Sequence, residues 1–221
     1  MNSEENKSKI SPELKDILEW IYCLLIAVVI ALFVKYFIGT PTTVQMDSMY
    51  STLSQGDKLW LNRIPRTFKK MPKRGDIITF EAPTKEKFEV DEINPESPIA
   101  QYNYQPKSLF SKFSYYVLEL NKTSYIKRVI ALPGDYVEIK DGKVYINNKE
   151  LQEDYLDEGT TTYTSAFNNF TVPNNTVFAM GDHRSVSRDC RAFGCIPLEK
   201  IESIVSFRFW PFSQFGNVDK K

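Results

Sequence analysis

One histidine, His183, and three cysteines, Cys23, Cys190 and Cys195, are all that 221 residues offer in imidazole and thiol ligands. Two late cysteines and a single histidine do not match a zinc-ligand pattern, and three cysteines do not make a disulfide framework. No metal and no cofactor is therefore expected. Cys190 and Cys195 could bridge in an extracytoplasmic body, and spacing alone leaves that open. Net charge is missing as well, because 28 Lys and Arg balance 28 Asp and Glu. Without a basic excess there is no reason to expect nucleic acid as a partner. The chain has no internal repeat, and no long helix is expected after residue 38. Aromatic residues are abundant, with 15 Phe and 12 Tyr. Such residues suit strands, so a β-rich body is expected.

Residues 17–38 read ILEWIYCLLIAVVIALFVKYFI, with Glu19 and Lys35 as the only charges, both near the ends. At about 1.5 Å per residue the run is about 33 Å long, enough to cross a hydrocarbon core of about 30 Å. Trp20, Tyr22 and Tyr36 suit the two interfaces, and Lys35 can snorkel. A buried helix of a soluble domain is the alternative, which an all-round apolar run disfavours. A cleavable signal peptide is disfavoured too: the apolar core exceeds the usual length, and Gly39-Thr40-Pro41 offers no small-x-small site. An uncleaved anchor is expected. Lys7, Lys9 and Lys15 place its N-terminus in the cytoplasm, which puts the larger C-terminal part outside.

The rest reads as short strands. Gly56-Asp57 turns the chain into an alternating run at 58–63, and Gly75 opens another at 76–80. Residues 65–74 are a basic, proline-bearing loop. Residues 82–124 hold acidic runs, prolines and an aromatic cluster near 109–116, and they yield no mechanism. Strand signal returns at 125–132. Asp141-Gly142 between alternating runs marks a hairpin. Short strands follow at 176–180 and 201–210.

The chemistry-bearing residues lie far apart in the chain. Ser48 stands about ten residues beyond the apolar run, and at no more than about 35 Å of extended chain its site stays close to the bilayer. A serine hydroxyl needs a base to take its proton. Lys127 lies on a strand between Tyr125 and Val129, with Ile126, Arg128 and Ile130 on the other face. An apolar environment would lower its pKa toward the range of a general base. Arg128 would stay solvated or paired. His183 is the rival base, since a Ser-His-Asp triad using Ser48 is not excluded by spacing.

Four segments in order carry a resemblance. They are Ser48-Met49-x-x-Thr52-Leu53, Arg74-Gly75-Asp76-Ile77-Ile78-Thr79-Phe80, Lys127-Arg128-Val129-Ile130-Ala131-Leu132-Pro133-Gly134-Asp135, and Gly181-Asp182-x-Arg184-x-x-Ser187-x-Asp189-x-Arg191-x-x-Gly194. Following an anchor, they resemble the bacterial type I signal peptidases, membrane-bound Ser/Lys endopeptidases that remove signal peptides. The resemblance implies a mostly β catalytic body with a smaller β insert behind a single transmembrane helix. It implies Ser48 as nucleophile and Lys127 as general base. Ser187 would orient the lysine amine, Asp189 and Arg191 would form a supporting ion pair, and Met49 would pack near the substrate pockets. The Ser48 N–H would be one oxyanion donor.

The implied layout is a cytoplasmic tail at 1–16, the anchor at 17–38 and an extracytoplasmic peptidase domain at 39–215. Within that domain lie an insert or loop-rich region at 81–124 and a hairpin-bearing subdomain at 136–178, and a tail follows at 216–221. Preproteins and the lipid bilayer are the expected partners, and the protein is expected to be a monomer.

The chain departs from the family pattern in places. Ser51 stands where proline is usual, His183 replaces asparagine and Cys190 replaces serine. Met46 falls where some members carry a second oxyanion donor, and Asp47 sets a carboxylate beside the nucleophile. Two other functions fit less well. One is an accessory protein for surface-polymer assembly that does not cut, and the other is a self-cleaving Ser/Lys regulator.

Overall fold

In the computed structural model, residues 11–85, 98–164, 166–167 and 169–218 are described. Helix α1 (Pro12–Phe33) begins where Ser11 caps it, its side chain accepting a hydrogen bond from the Leu14 N–H, with Pro12 in the first turn. The helix thus starts about a turn before the apolar run, because the cap and proline set its beginning. It loosens over Val34–Ile38 into a wider turn, closed by the Gly39 N–H on the Val34 carbonyl. No residue of α1 is buried, and Cys23 is exposed.

The remainder is mostly β, as expected. The main sheet is built from β1 (Gly39–Thr43), β2 (Lys58–Asn62), β3 (Ile77–Glu81), β4 (Ser124–Ala131), β9 (Thr176–Met180), β10 (Ile196–Pro197) and β11 (Ile201–Trp210). Their order is β1-β2-β11-β3-β4-β9-β10, and all neighbouring pairs are antiparallel. A second sheet holds β5 (Tyr136–Lys140), β6 (Lys143–Ile146), β7 (Lys149–Glu150) and β8 (Asn169–Thr171) in the order β7-β6-β5-β8. The hairpin predicted at Asp141-Gly142 joins β5 to β6, with both turn residues at positive φ. This small sheet ends at Thr171, so residues 176–178 belong to the main sheet rather than to the 136–178 subdomain.

Among the described residues, three short α-helices punctuate the body: α2 (Ile64–Thr67), α3 (Leu109–Phe113) and α4 (Cys190–Phe193). No long helix follows α1 among the described residues. Part of the 81–124 region, residues 86–97, lies outside them. The larger core is formed by Ile78, Phe80, Ile130, Val137, Phe170 and Phe178 with their neighbours, and it runs between the two sheets. A smaller core of Val44, Met49, Leu53, Leu59, Leu61 and Ile77 lies beneath the loop that carries Ser48.

Candidate active site

Ser48 stands in a single tight turn, Asp47–Met49, between β1 and β2. The turn is held from below by two apolar side chains, Met49 and Leu53, both with no exposed surface. Burying such a side chain is worth about 1.5–3 kcal/mol. Met49 therefore secures the turn to the core, and no part of it reaches the surface where a substrate pocket would open. Asp47 is exposed, so its carboxylate does not face the nucleophile from inside.

Lys127 lies in β4, opposite Ile78 of β3 and only 1% exposed. Its Nζ lies 2.6 Å from Ser48 Oγ. Burial lowers the Lys127 pKa to about 8, against the opposing pull of Asp189 and Asp182. As an ammonium it donates to the serine oxygen. As a neutral amine it accepts the hydroxyl proton across the same contact. The pair is thus equipped to generate an alkoxide-like nucleophile near neutral pH.

The partner strand face is buried as well, and of the two expectations for Arg128 it is the paired one that holds. Arg128 is 2% exposed and forks onto Asp182, Nε to Oδ1 at 3.0 Å and Nη2 to Oδ2 at 2.7 Å. Thr52 donates its hydroxyl to Asp182 Oδ2 at 2.6 Å. β4, the segment after β9 and the nucleophile loop are therefore tied at one carboxylate. Arg208 of β11 adds a second tie, donating to the Thr52 carbonyl and to Asp57.

The segment 181–191 closes the site. Asp189 accepts from the Gly181 N–H at 3.1 Å and from Arg191 Nε and Nη2 at 2.8 and 2.9 Å. Arg191 also donates to the carbonyls of Arg184, Ser187 and Tyr163. This pair is fully enclosed and fixes the path of the loop. Gly181 is required by close approach: a Cβ there would lie 2.2 Å from Ser187 Oγ and 2.3 Å from the Ser48 carbonyl oxygen. Ser187 is thus packed against the nucleophile turn. Its hydroxyl, however, is buried without a hydrogen-bond partner, so the bond to Lys127 implied by the resemblance is not formed.

His183 is not placed as a base. Its ring Nδ1 is bonded to the Asp47 carbonyl at 3.2 Å, and its backbone N–H donates to the Ser48 carbonyl. It braces the turn that carries Ser48. Cys190 and Cys195 are both buried and unbridged.

Two residues make contacts that the sequence did not foretell. Arg184 is buried and donates to the Gly181 carbonyl, Glu153 and Tyr155, which joins the catalytic segment to the loop after β7. Ser51, in the proline position, donates its hydroxyl to Asp157 Oδ1 at 2.7 Å. The signal available for Arg184 was only its place in the last of the four segments.

A hydroxyl held against a buried, readily neutralised amine is an arrangement able to support acyl transfer, the chemistry of a class of hydrolases. Comparison with known proteins gives the class a family. The profile described as signal peptidase, peptidase S26, matches residues 17–210. A probable signal peptidase I-1 from Synechocystis sp. is 34% identical over 195 residues, covering 88% of this chain and 83% of that protein. Signal peptidase IB from Staphylococcus aureus is 32% identical over 217 residues, covering 91% and 93%. A crystal structure of a signal peptidase I from Enterococcus faecalis aligns with 25% identity and a TM-score of 0.38, over 62% of this chain and 98% of that one. The chain belongs to the S26 signal peptidase family.

Proposed function

We propose that the protein is a membrane-bound serine endopeptidase that removes N-terminal signal peptides from exported preproteins. The observation that carries this reading is the 2.6 Å contact between Ser48 Oγ and an almost fully enclosed Lys127 amine. Ser48 attacks the scissile carbonyl while its proton passes to Lys127. The Lys127 ammonium then returns a proton to the leaving amine. Water, deprotonated by the same amine, releases the acyl group from Ser48. Asp189 and Arg191 hold the loop that backs the nucleophile. Ser187, packed beside Gly181 and the Ser48 turn, serves to steady the amine during turnover. Met49 acts on substrate indirectly, by fixing the Ser48 turn.

Membrane attachment is supported by the span Pro12–Ile38, 27 residues whose most apolar 18-residue stretch has mean hydropathy 2.7 and is not buried. An unburied apolar helix of that length fits a bilayer better than water. Lys7 and Lys9 before it and Lys15 in its first turn favour a cytoplasmic side for residues 1–16 and an outer side for the body from residue 39. At the end of β11 and just past it, the exposed Trp210, Phe212 and Phe215 suit an interfacial position, which would bring the site to where signal peptides leave the bilayer.

The test is cleavage of a preprotein by the full chain in lipid, beside Ser48→Ala and Lys127→Met. Each variant is expected to lose activity by about 10³-fold or more. Variants that cut as fast as the parent would refute the assignment. A folded parent that leaves preproteins intact would favour the accessory function in surface-polymer assembly.

A further inference from the structure

Residues 98–120 are the part of the molecule that the proposed chemistry does not use. Ser108 caps α3, accepting from the Ser111 N–H. The helix continues as a wider turn over Ser114–Leu118 and stops at Glu119, which is in the left-handed region. One side of this helix packs inward through Tyr115, which meets Tyr104 and Tyr116 and lies beneath the Lys122 ammonium. The other side leaves Leu109 86%, Phe110 80%, Phe113 43% and Leu120 55% exposed. Exposed side chains of this size so close together are not a feature of a surface that meets only water.

The place of this helix says what covers it. Glu119, at its end, pairs with Lys35 at 3.2 Å and with the buried Arg63 at 2.5 Å. Burial raises the Glu119 pKa, but the two cations outweigh it and hold the carboxyl below its ordinary value. Lys35 also donates to the Leu118 carbonyl. Lys35 belongs to the last turn of the anchor, so the helix is bonded to the point where the chain leaves the apolar span. The α2 loop grips the same turn: Arg63, Arg66 and Thr67 donate to the carbonyls of Lys35, Tyr36 and Phe37.

Charge completes the pattern. Residues 98–118 contain Lys107 and Lys112 and no acid, and residues 64–75 contain five cations and no acid, in a chain of zero net charge. Lys69, Lys70 and Lys73 are exposed beside the exposed Phe68 and Met71. Cations interleaved with aromatic and aliphatic side chains fit a layer of anionic headgroups over acyl chains.

We infer that the helix at 109–118 and the basic loop at 64–74 form a collar around the exit of the anchor that docks onto anionic lipid headgroups, with Phe110 and its neighbours entering the interface. This rests on α1 spanning the membrane. The collar is separate from the exposed aromatics beyond β11, and it would fix the tilt of the body over the bilayer.

The test uses the full chain in vesicles, either phosphatidylcholine alone or phosphatidylcholine with phosphatidylglycerol. A polarity-sensitive probe is attached to Phe110→Cys in a Cys23→Ser background, where the remaining cysteines are buried. A probe on native Cys23 reports anchor insertion, and one at Asp141→Cys in the hairpin turn supplies the water-exposed reference. The Phe110 probe is expected to shift to the blue and to be quenched by shallow spin-labelled lipid, more strongly with phosphatidylglycerol. Lys107→Gln and Lys112→Gln are each expected to weaken docking by about fivefold.

A water-exposed Phe110 probe beside a quenched Cys23 probe would overturn the collar and leave the anchor standing. An unquenched Cys23 probe would overturn both. Equal quenching in the two vesicle types would overturn headgroup selectivity. Burial that grows with protein concentration at fixed lipid would assign the face to a second copy instead.

Discussion

At the scale of the residue, the enclosure of Lys127 has a cost that can be measured. An unfolded lysine titrates near 10.5, and this one near 8. Below pH 8 both states carry the proton, and the folded state bears the whole penalty, about 3 kcal/mol at about 1.4 per pH unit. Between 8 and 10.5 the unfolded chain holds the extra proton, so stability rises with pH until the penalty is gone. Lys127→Met is therefore expected to raise the Tm at pH 6–7, with the gain over the parent shrinking as pH approaches 10. A variant less stable than the parent at pH 6 would contradict the enclosed-amine geometry. Gly181 provides a second test. Alanine there meets Ser187 and the Ser48 carbonyl within 2.6 Å, so the nucleophile turn must move. A shift of about 1 Å costs about 10²-fold in rate, so Gly181→Ala is expected to lose that much kcat while a folded spectrum persists.

At the scale of the element, one carboxylate connects three pieces of chain. Asp182 receives Arg128 from β4 and Thr52 from the nucleophile loop, all of them buried. Asp182→Ala strands the Arg128 cation and is expected to cost about 3–5 kcal/mol in denaturant unfolding. A loss below about 1 kcal/mol would mean that the tie is dispensable.

Most strands around this tie were legible in the sequence. The alternation at 58–62 and 136–140, the Asp-Gly turn and the apolar run at 176–180 each obey local rules that need no partner. What the sequence left open was anything set by neighbours. Arg128 was expected on the face opposite Lys127, either solvated or paired, and burial of that face of β4, an interior strand between β3 and β9, decides for the pair. Ser187 and Met49 were placed by resemblance in roles that depend on rotamer and depth, which one sequence cannot supply. The pairing of Ser48 with Lys127 was legible only because four segments kept their order. Alone, each was an ordinary serine or lysine.

At the scale of the whole molecule, the anchor and the body act as one unit. Carbonyls at 35–37 are held by Arg63, Arg66 and Thr67, so the apolar helix does not join the body through a free linker. That grip was invisible in the sequence, because residues 65–74 looked like a plain basic loop and residues 82–124 offered no periodic pattern. The proposed topology predicts that a membrane-impermeant maleimide labels Asp141→Cys on intact cells. Labelling that appears only after lysis would place the body on the cytoplasmic side.

The central claim is that an uncharged Lys127 amine takes the Ser48 proton. The pH dependence of kcat/KM for preprotein cleavage tests it most directly. The predicted profile climbs with unit slope in log rate and levels off above about 8, where the enclosed amine loses its proton. A flat profile from about 6 to 9, or one that levels off near 6.5 as a histidine base would give, would contradict it.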